Sequence, residues 1–225
     1  MSVNILFVCT GNICRSPMAE ALFRGSLQKR LGTQASEITV SSAGLVAVNG
    51  SQPPPFAARA MSERGINISN HRARVLDLGL IERADLILTM GVEHANRILE
   101  AMPSAIGKVF TLKEFTHGKE LIRDVLASCE DIAANNLVGR TQTRIDQFRK
   151  RFGEGGKEDI EQEVFSSGGV ADSEKGRSTL ADFQQKLSQF DILDPIGRDY
   201  QAYEECASEL EKETQKLVDM LISDG

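Results

Sequence analysis

The chain has 225 residues, 41% of them hydrophobic, which is enough for a full hydrophobic core without disulfides or metal ions. Its formal net charge of −6 argues against a general nucleic-acid binder, and no apolar stretch reaches the roughly 18 to 20 residues of a membrane span. Four scattered cysteines and no signal-peptide pattern predict a protein of the reducing cytoplasm rather than a secreted disulfide framework.

The first predicted elements are a strand and a helix at the start of the chain. Residues 3–8 form a nearly continuous apolar run, which is typical of a central parallel strand covered on both faces. The helix is predicted to have Ser16 as its N-cap and Pro17 in its first turn, and Gly32 marks its end.

Further elements alternate along the chain as far as residue 112. Strands are predicted at 37–40, 85–90 and 108–112, and helices at 53–61 and 92–102. The sequence Ser-Ser-Ala-Gly at 41–44 is predicted to be a turn. Strands that alternate with helices at this spacing indicate an α/β fold, with a three-layer α/β/α arrangement around a central four-stranded parallel sheet.

The alternation ends in the second half of the chain. Residues 120–152 are polar but compatible with a helix, whereas 153–178 are rich in Gly, Ser, Glu and Lys, a composition typical of flexible segments. Regular structure is predicted again at 190–195 and in a long helix at 199–222, where leucines recur at helical spacing.

Cys9 and Arg15 lie six positions apart in a loop that follows the first strand and opens the first helix. Parallel sheets bind ligands at the carboxyl ends of their strands, and N–H groups at a helix N-terminus bind phosphoryl oxygens and favour a thiolate. Arg15 can bind two such oxygens as a fork, while Gly11 and Asn12 tolerate the positive φ values of a tight loop. The pattern predicts hydrolysis of a phosphate ester or phosphoramidate through a cysteine nucleophile, with no metal or cofactor.

Asp194 is the candidate acid that would protonate the leaving group in such a reaction. It precedes Pro195, which stiffens a loop just before the last predicted helix. An Asp-Pro pair is also a common turn opener, so the residues alone leave both a catalytic and a structural interpretation open.

The run at 9–16 resembles the phosphate loop of the low-molecular-weight protein tyrosine phosphatases. Three further runs follow in the order found in that family, at 42–44, 68–74 and 194–195. The resemblance covers about 1–115 and 190–225 and implies one phosphatase domain formed by these two parts. The segment 116–189 is then an insertion, predicted to be partly helical and partly flexible.

The resemblance implies a two-step reaction on a phosphorylated protein. Cys9 would attack phosphorus while Asp194 protonates the departing atom, which gives a cysteinyl-phosphate. Asp194 would then activate water, and Arg15 would stabilise the transition-state charge in both steps.

The resemblance also implies roles for the neighbouring residues. Those expected to bind phosphate are Thr10, Gly11, Asn12, Ile13, Cys14 and Ser16. Ser16 would in addition stabilise the Cys9 thiolate, and Ser42 and His71 would support the shape of the loop together with Asn12. Cys14 would form a reversible disulfide with Cys9 that blocks the nucleophile.

Several residues bear on the choice of substrate. The family usually has an aromatic residue directly after Asp-Pro, where this chain has Ile196, and residues 45–49 also lack an aromatic. Both departures weaken the case for an aryl substrate. Ile13 is the apolar residue associated with tyrosine phosphatases, whereas the tail at 194–197, with Tyr203, resembles the protein-arginine phosphatase branch. The sequence therefore predicts a protein phosphotyrosine phosphatase, with a protein-arginine phosphatase as the alternative.

Two other functions have less support. Thioredoxin-coupled arsenate reductases resemble this fold and loop but use two additional cysteines, and residues 77–102 contain none. A non-enzymatic phosphate-binding module would not require both Cys9 and Asp194.

Overall fold

The computed structural model describes residues 3–117 and 188–222. Its main strands and helices are, in chain order, β1 (Val3–Cys9), α1 (Arg15–Leu31), β2 (Ile38–Gly44), α2 (Pro55–Glu63), α3 (Leu78–Arg83), β3 (Leu86–Thr89), α4 (Val92–Ala101), β4 (Val109–Thr111) and α5 (Tyr200–Ile222). The predicted polar helix at 120–152 and the predicted flexible segment at 153–178 lie outside the described residues.

The four strands form one parallel sheet in the order β2-β1-β3-β4, which confirms the predicted sheet. β1 lies between two neighbours, with Val3 opposite Ile38 of β2 and Ile5 opposite Leu86 of β3. The chain leaves β1 for β2 on one side and returns as β3 on the other side. The carboxyl end of β1 therefore lies at the crevice where open α/β sheets bind ligands.

Helices cover both faces of the sheet. Successive side chains of β1 point to opposite faces and therefore belong to two different hydrophobic clusters. Ile5 and Phe7 belong to the cluster that includes residues of α1, α2 and α5. Leu6 and Val8 belong to the cluster that includes residues of α3 and α4. All four side chains are at most 2% exposed. Burial on both faces explains the continuous apolar run of β1 and confirms the three-layer arrangement.

Helix α1 begins earlier than predicted, and the predicted N-cap is wrong. Its N-cap is Cys14, which makes no capping hydrogen bond through its side chain, and Ser16 lies inside the first turn. The Ser16 hydroxyl instead faces the β1–α1 loop (residues 10–14), where it lies 3.0 Å from the sulfur of Cys9. The predicted end of the helix is confirmed, because Gly32 follows the last helical residue with a φ of 55°.

Strand β2 continues through the residues predicted to be a turn, so that prediction is wrong. Residues 41–44 pair with β1 as far as Gly44, which lies opposite Cys9. The small side chains that suggested a turn are required here because the β1–α1 loop lies against this end of β2. Ser42 and Ala43 are at most 1% exposed as a result.

The other predicted strands and helices up to residue 112 and the last helix are present, with ends shifted by two residues at most. The regular structure predicted at 190–195 is wrong: a short 3₁₀ helix ends at Phe190, and 191–195 form neither helix nor strand. The reason is that this segment bonds to the turn after β3, with the N–H of Ile192 on the carbonyl oxygen of Met90.

The short helix α3 was not predicted; it begins after Asp77, whose carboxylate accepts the backbone N–H of Leu80 at 2.7 Å. No helix within residues 3–117 and 188–222 has the length and apolar character needed to cross a bilayer.

Candidate active site

The thiol of Cys9 lies at the carboxyl end of β1, below the β1–α1 loop. Cys9 is 3% exposed, and its sulfur accepts the backbone N–H of Asn12 at 3.2 Å. The hydroxyl of Ser16 lies 3.0 Å from the same sulfur and can donate to it. Two hydrogen-bond donors near the N-terminus of α1 stabilise a thiolate, which is the nucleophilic form of cysteine.

Asn12 holds the β1–α1 loop in its tight conformation. Among the described residues it is the one non-glycine residue with a positive φ, at 53°, a conformation that asparagine tolerates better than most residues. Its side-chain amide donates to Ser16 Oγ at 3.0 Å and to Ser42 Oγ at 2.8 Å. Its Oδ1 accepts the backbone N–H of Arg74 at 2.9 Å, and its carbonyl oxygen lies 2.8 Å from His71 Nε2. These bonds offset the conformational cost of the positive φ.

Ser42 connects the loop to helix α1. Its hydroxyl donates to Glu20 Oε2 at 2.6 Å. The Ser42 Oγ therefore has its lone pairs free to accept, and it accepts the side-chain amide of Asn12. Glu20 in turn forms an ion pair with Arg24, one helical turn away, at 2.5 Å. Glu20 was not among the predicted site residues, because an acidic residue on a helix gives no sequence signal that separates it from a solvated surface position.

Arg15 and Asp194 form an ion pair at the mouth of the loop. Arg15 is 6% exposed, and its guanidinium also donates to the carbonyl oxygen of Ile192 at 3.1 Å and to Thr10 Oγ1 at 3.3 Å. The other carboxylate oxygen of Asp194 accepts the backbone N–H of Ile196 at 3.1 Å. The predicted arginine and the predicted acid, 179 positions apart in the chain, therefore meet at one site.

The segment that carries Asp194 is attached to the turn between β3 and α4. The N–H of Ile192 donates to the carbonyl oxygen of Met90 at 2.9 Å. The carboxylate of Asp191 accepts the N–H of Val92, the first residue of α4, at 2.8 Å. The sequence did not indicate Asp191 as a site residue. The one feature that could have drawn attention to it is its position three residues before Asp194.

His94 is another site residue that the sequence did not indicate. It lies in the first turn of α4, is 8% exposed, and has its Nε2 2.9 Å from Thr10 Oγ1. Burial lowers the pKa of His94 and the positive charge of Arg15 adds to this, although the carboxylates of Asp191 and Asp194 oppose it. The imidazole is therefore neutral at pH 7. The backbone of Gly91 and the carboxylate of Asp191 lie on the side of its buried Nδ1, and a hydrogen bond to Gly91 also opposes the lowering of the pKa.

Cys14 lies at the end of the same loop as a protonated thiol. Burial raises the pKa of Cys14 to about 12, and the Asp194 carboxylate adds to this effect. Cys9 and Cys14 are both free thiols here, so the reversible disulfide between them stays a prediction.

Four exposed side chains, on the two segments that adjoin the site in the chain or by a hydrogen bond, form what we call the aliphatic rim: Val46, Val48, Leu193 and Ile196. These four side chains are between 53% and 73% exposed, which is unusual for large apolar residues. Val46 is tied to the β1–α1 loop because its N–H donates to the carbonyl oxygen of Thr10 at 2.9 Å. Leu193 and Ile196 flank Asp194 in the chain.

The remaining predicted loop residues also lie here. Thr10 is exposed at the mouth, and the partly buried Ile13 lies close enough to Gly11 that a β-carbon there would be 3.6 Å from its side chain. The site thus combines a thiol, a buried guanidinium and a partly exposed carboxyl group, which are the kinds of group that displacement at phosphorus uses. No group of three or more His, Cys, Asp or Glu residues is arranged to hold a metal ion within residues 3–117 and 188–222.

Comparisons with known proteins point to one family. The family model of low molecular weight phosphotyrosine protein phosphatase matches residues 4–127. A probable low molecular weight protein-tyrosine-phosphatase, EpsP of Ralstonia solanacearum, is 46% identical over 114 residues, which cover 51% of this chain and 73% of that protein. The protein-arginine-phosphatase of Bacillus subtilis is 43% identical over 116 residues, which cover 52% and 74%. The crystal structure of a YwlE mutant from Bacillus subtilis has a TM-score of 0.61 at 27% identity and covers 98% of this chain and 99% of that one.

Proposed function

This chain belongs to the low molecular weight phosphotyrosine protein phosphatase family, and on that premise we propose that it removes phosphate from phosphotyrosine in proteins through a cysteinyl-phosphate intermediate. The observation that carries the proposal is the sulfur of Cys9, which lies within reach of two donors below a loop flanked by Arg15 and Asp194. The tyrosine-phosphatase relative named above supports the substrate class.

In the first step, the Cys9 thiolate attacks phosphorus in line with the leaving oxygen. The sulfur–phosphorus bond forms as the phosphorus–oxygen bond breaks, and the protonated carboxyl group of Asp194 gives its proton to the leaving oxygen. Arg15 stabilises the charge that develops on the equatorial oxygens, because its buried guanidinium offers two parallel donors.

In the second step, the Asp194 carboxylate takes a proton from water while the water oxygen attacks phosphorus. The sulfur–phosphorus bond breaks and inorganic phosphate leaves. The thiolate of Cys9 is regenerated and is again stabilised by the N–H of Asn12 and by Ser16. Both steps use the same carboxyl group, first as acid and then as base.

The aliphatic rim supports an aryl substrate. Apolar side chains favour contact with the ring of phosphotyrosine, because this contact removes apolar surface from water. Ile13 adds a further partly buried apolar side chain in the loop itself. A second candidate function, protein-arginine phosphatase, is favoured by the identity of 43% to the Bacillus subtilis enzyme of that name.

The covalent step is tested with p-nitrophenyl phosphate in the absence of added metal. We expect wild type to turn over, Cys9→Ser to be inactive, and Arg15→Lys to lose at least tenfold in kcat/KM, because lysine lacks the paired donors. Cys129→Ala is the matched control, because Cys129 lies in the segment 116–189, outside the proposed phosphatase domain. Turnover by Cys9→Ser equal to wild type would exclude cysteine as the nucleophile.

The substrate choice is tested with matched phosphotyrosine and phosphoarginine peptides. We expect a higher kcat/KM on phosphotyrosine, and Ile13→Thr should shift the ratio toward phosphoarginine because it removes apolar surface from the loop. A ratio unchanged by Ile13→Thr would show that this residue does not set specificity.

Three wider aspects belong to the same proposal. The partner is a phosphorylated protein rather than a nucleic acid or a membrane, and the location is the cytoplasm, where a free thiolate at Cys9 is kept reduced. The phosphatase domain consists of 1–115 and 190–225, with 116–189 as an insertion that chemistry at Cys9 does not require.

A further inference from the structure

We infer that Lys113 is a positioning residue for Asp194: its ammonium group donates to the carbonyl oxygen of Asp191 and holds the acid segment (residues 191–196) in place while Arg15 binds the substrate. The inference rests on the proposed function, since Asp194 is an acid only in that reaction. It adds to the site a residue that lies 78 positions before Asp191 in the chain and follows β4.

The first argument is the set of elements that Lys113 connects. It lies at 112–117, residues that are helical directly after β4. Its Nζ donates to the carbonyl oxygen of Asp191 at 2.8 Å and forms an ion pair with Glu209 of α5. One ammonium group therefore joins the end of β4, the acid segment and the last helix.

The second argument is the burial of this ammonium group. The side chain of Lys113 is 17% exposed, whereas lysine side chains mostly lie in solvent. A charge at such a depth needs partners that replace its water, and the Glu209 carboxylate and the Asp191 carbonyl oxygen are two such partners. A hydrogen bond from a charged donor is also stronger than one between neutral groups. The bond to Asp191 is therefore a firm anchor for the acid segment.

The third argument is that the acid segment must be held during the reaction without its ion pair. In the structure, the carboxylate of Asp194 is paired with Arg15. In the complex with substrate, the carboxyl group is protonated and the guanidinium binds phosphoryl oxygens, so this ion pair is lost. The bond from Lys113 to Asp191 and the bond from Ile192 N–H to the carbonyl oxygen of Met90 do not involve these groups. They remain when the substrate is bound.

The anchor acts on the acid because the two are close in the chain. Asp191 precedes Asp194 by three residues, and Pro195 restricts the backbone directly after it. Residues 191–195 form neither helix nor strand, and the side chain of Asp194 is 38% exposed. The position of the carboxyl group therefore depends on a few bonds to neighbouring elements. A displacement of about 1 Å in a reacting group can cost up to about 100-fold in rate.

The role is tested by the dependence of kcat/KM on the leaving group. Lys113→Met keeps the apolar stem and removes the donor. We expect kcat/KM to fall about tenfold on phenyl phosphate, whose leaving oxygen needs a proton, and less than threefold on p-nitrophenyl phosphate. Lys108→Met is the matched control, because Lys108 donates to the carbonyl oxygens of Glu82 and Ala84 before β4 begins. It should leave the ratio of the two substrates unchanged. Equal losses on both substrates for Lys113→Met would overturn the inference.

The dependence on Asp194 is tested by adding Lys113→Met to the Asp194→Asn variant. An amide at 194 cannot donate an acidic proton to the leaving oxygen, so the placement of that side chain no longer matters for this step. We expect Lys113→Met to cause less than a twofold further loss in kcat/KM on phenyl phosphate in this background. A further tenfold loss would show that Lys113 acts on another part of the site and would overturn the inference.

The anchoring itself is tested by amide hydrogen exchange, which involves no turnover. In ¹⁵N-labelled protein with saturating inorganic phosphate, we expect the amide of Ile192 to exchange at least tenfold faster in Lys113→Met than in wild type. The amide of Phe7 in β1 should exchange at the same rate in both, which shows that the variant is folded. Unchanged exchange at Ile192 would overturn the inference. This result is separate from the proposed phosphatase activity, which fails instead if the wild type does not hydrolyse aryl phosphates.

Discussion

Gly44 lies so close to the β1–α1 loop that a β-carbon on it would be 2.7 Å from the carbonyl oxygen of Thr10. The same atom would be 2.8 Å from the backbone nitrogen of Asn12. All of these neighbours are backbone atoms, which cannot move aside as a flexible side chain can. The end of β2 therefore requires glycine, and the loop above Cys9 takes its shape partly from the absence of a side chain there.

Gly44→Ala is expected to displace the β1–α1 loop from Cys9. We expect kcat to fall at least tenfold and the free energy of unfolding to fall by about 1 to 3 kcal/mol, the usual cost of overpacking. Gly25→Ala is the control, because a β-carbon there would meet the side chain of Ile66 at an ordinary 3.8 Å. As a glycine inside α1, it should gain about 0.5 to 1 kcal/mol on this change and keep its activity. Equal kinetics for both variants would contradict the close approach at Gly44.

The positive φ of Asn12 predicts an order of stability for two substitutions. Asn12→Gly and Asn12→Ala both remove the bonds of its side chain to Ser16 and Ser42, but only glycine accepts a φ of 53° without strain. We expect Asn12→Ala to be less stable than Asn12→Gly by about 1 kcal/mol, measured by urea unfolding. Both should lose activity, because the N–H of residue 12 is no longer held toward the Cys9 sulfur. Alanine proving as stable as glycine would mean that the loop relaxes away from this conformation.

Asp191→Ala is expected to impair the acid function of Asp194 from a distance. Without the bond from Val92 N–H to its carboxylate, the segment carrying Asp194 is less firmly attached to the β3–α4 turn. Phenyl phosphate has a poor leaving group that needs protonation. The kcat of the variant should therefore fall more on phenyl phosphate than on p-nitrophenyl phosphate. Removal of the cap should also cost about 1 kcal/mol of stability.

Asp77→Ala provides the matched control for this experiment. Asp77 also accepts an N–H at a helix N-terminus, that of Leu80 at 2.7 Å, but as the N-cap of α3 it belongs to the connection between α2 and α3 rather than to the acid segment. We expect a similar loss of stability and an unchanged ratio of the two substrates. If Asp191→Ala also left that ratio unchanged, Asp191 would serve only as a helix cap.

Glu213, buried on α5, is expected to make stability depend on pH in the acid range. Burial opposes ionisation of this residue, but hydrogen bonds from Thr116 and His117 outweigh it and the pKa of the carboxyl group is lowered. A carboxyl group with a lowered pKa in the folded state stabilises that state above its unfolded pKa of about 4.3, and this contribution is lost as the pH falls through the folded value. Between about pH 5.5 and pH 3, Glu213→Gln should therefore show a smaller decline in unfolding free energy than wild type. Parallel declines in urea titrations would rule out an ionised Glu213 in the native state.

The sequence predicted best where the signal is local. The apolar run of β1, the spacing from Cys9 to Arg15 and the glycine after α1 each depend on neighbouring residues, and each lies where it was expected. Residues 41–44 were mistaken for a turn because their side chains are small. They are small because the β1–α1 loop, which is distant in the sequence, packs against this end of β2. Composition alone cannot separate a turn from a strand end that must leave room for another segment.

The missed site residues share the same cause. His94 meets Thr10 across 84 positions, and Asp191 meets Val92 across 99. Neither residue belongs to a pattern of its own, since one histidine in a helix and one aspartate in a loop are ordinary. Asp194 was found only because Pro195 and the family resemblance marked its segment. Contacts of this kind become visible when the fold brings the elements together.

The wide separation of Arg15 and Asp194 in the chain has a consequence for protein synthesis. During translation the β1–α1 loop leaves the ribosome early, and Asp194 emerges only after nearly two hundred residues. Under the proposed function, a nascent polypeptide therefore lacks the group that protonates the leaving oxygen until Asp194 has been made and has met Arg15. A product that stops before Asp194 would keep the Cys9 loop without that acid.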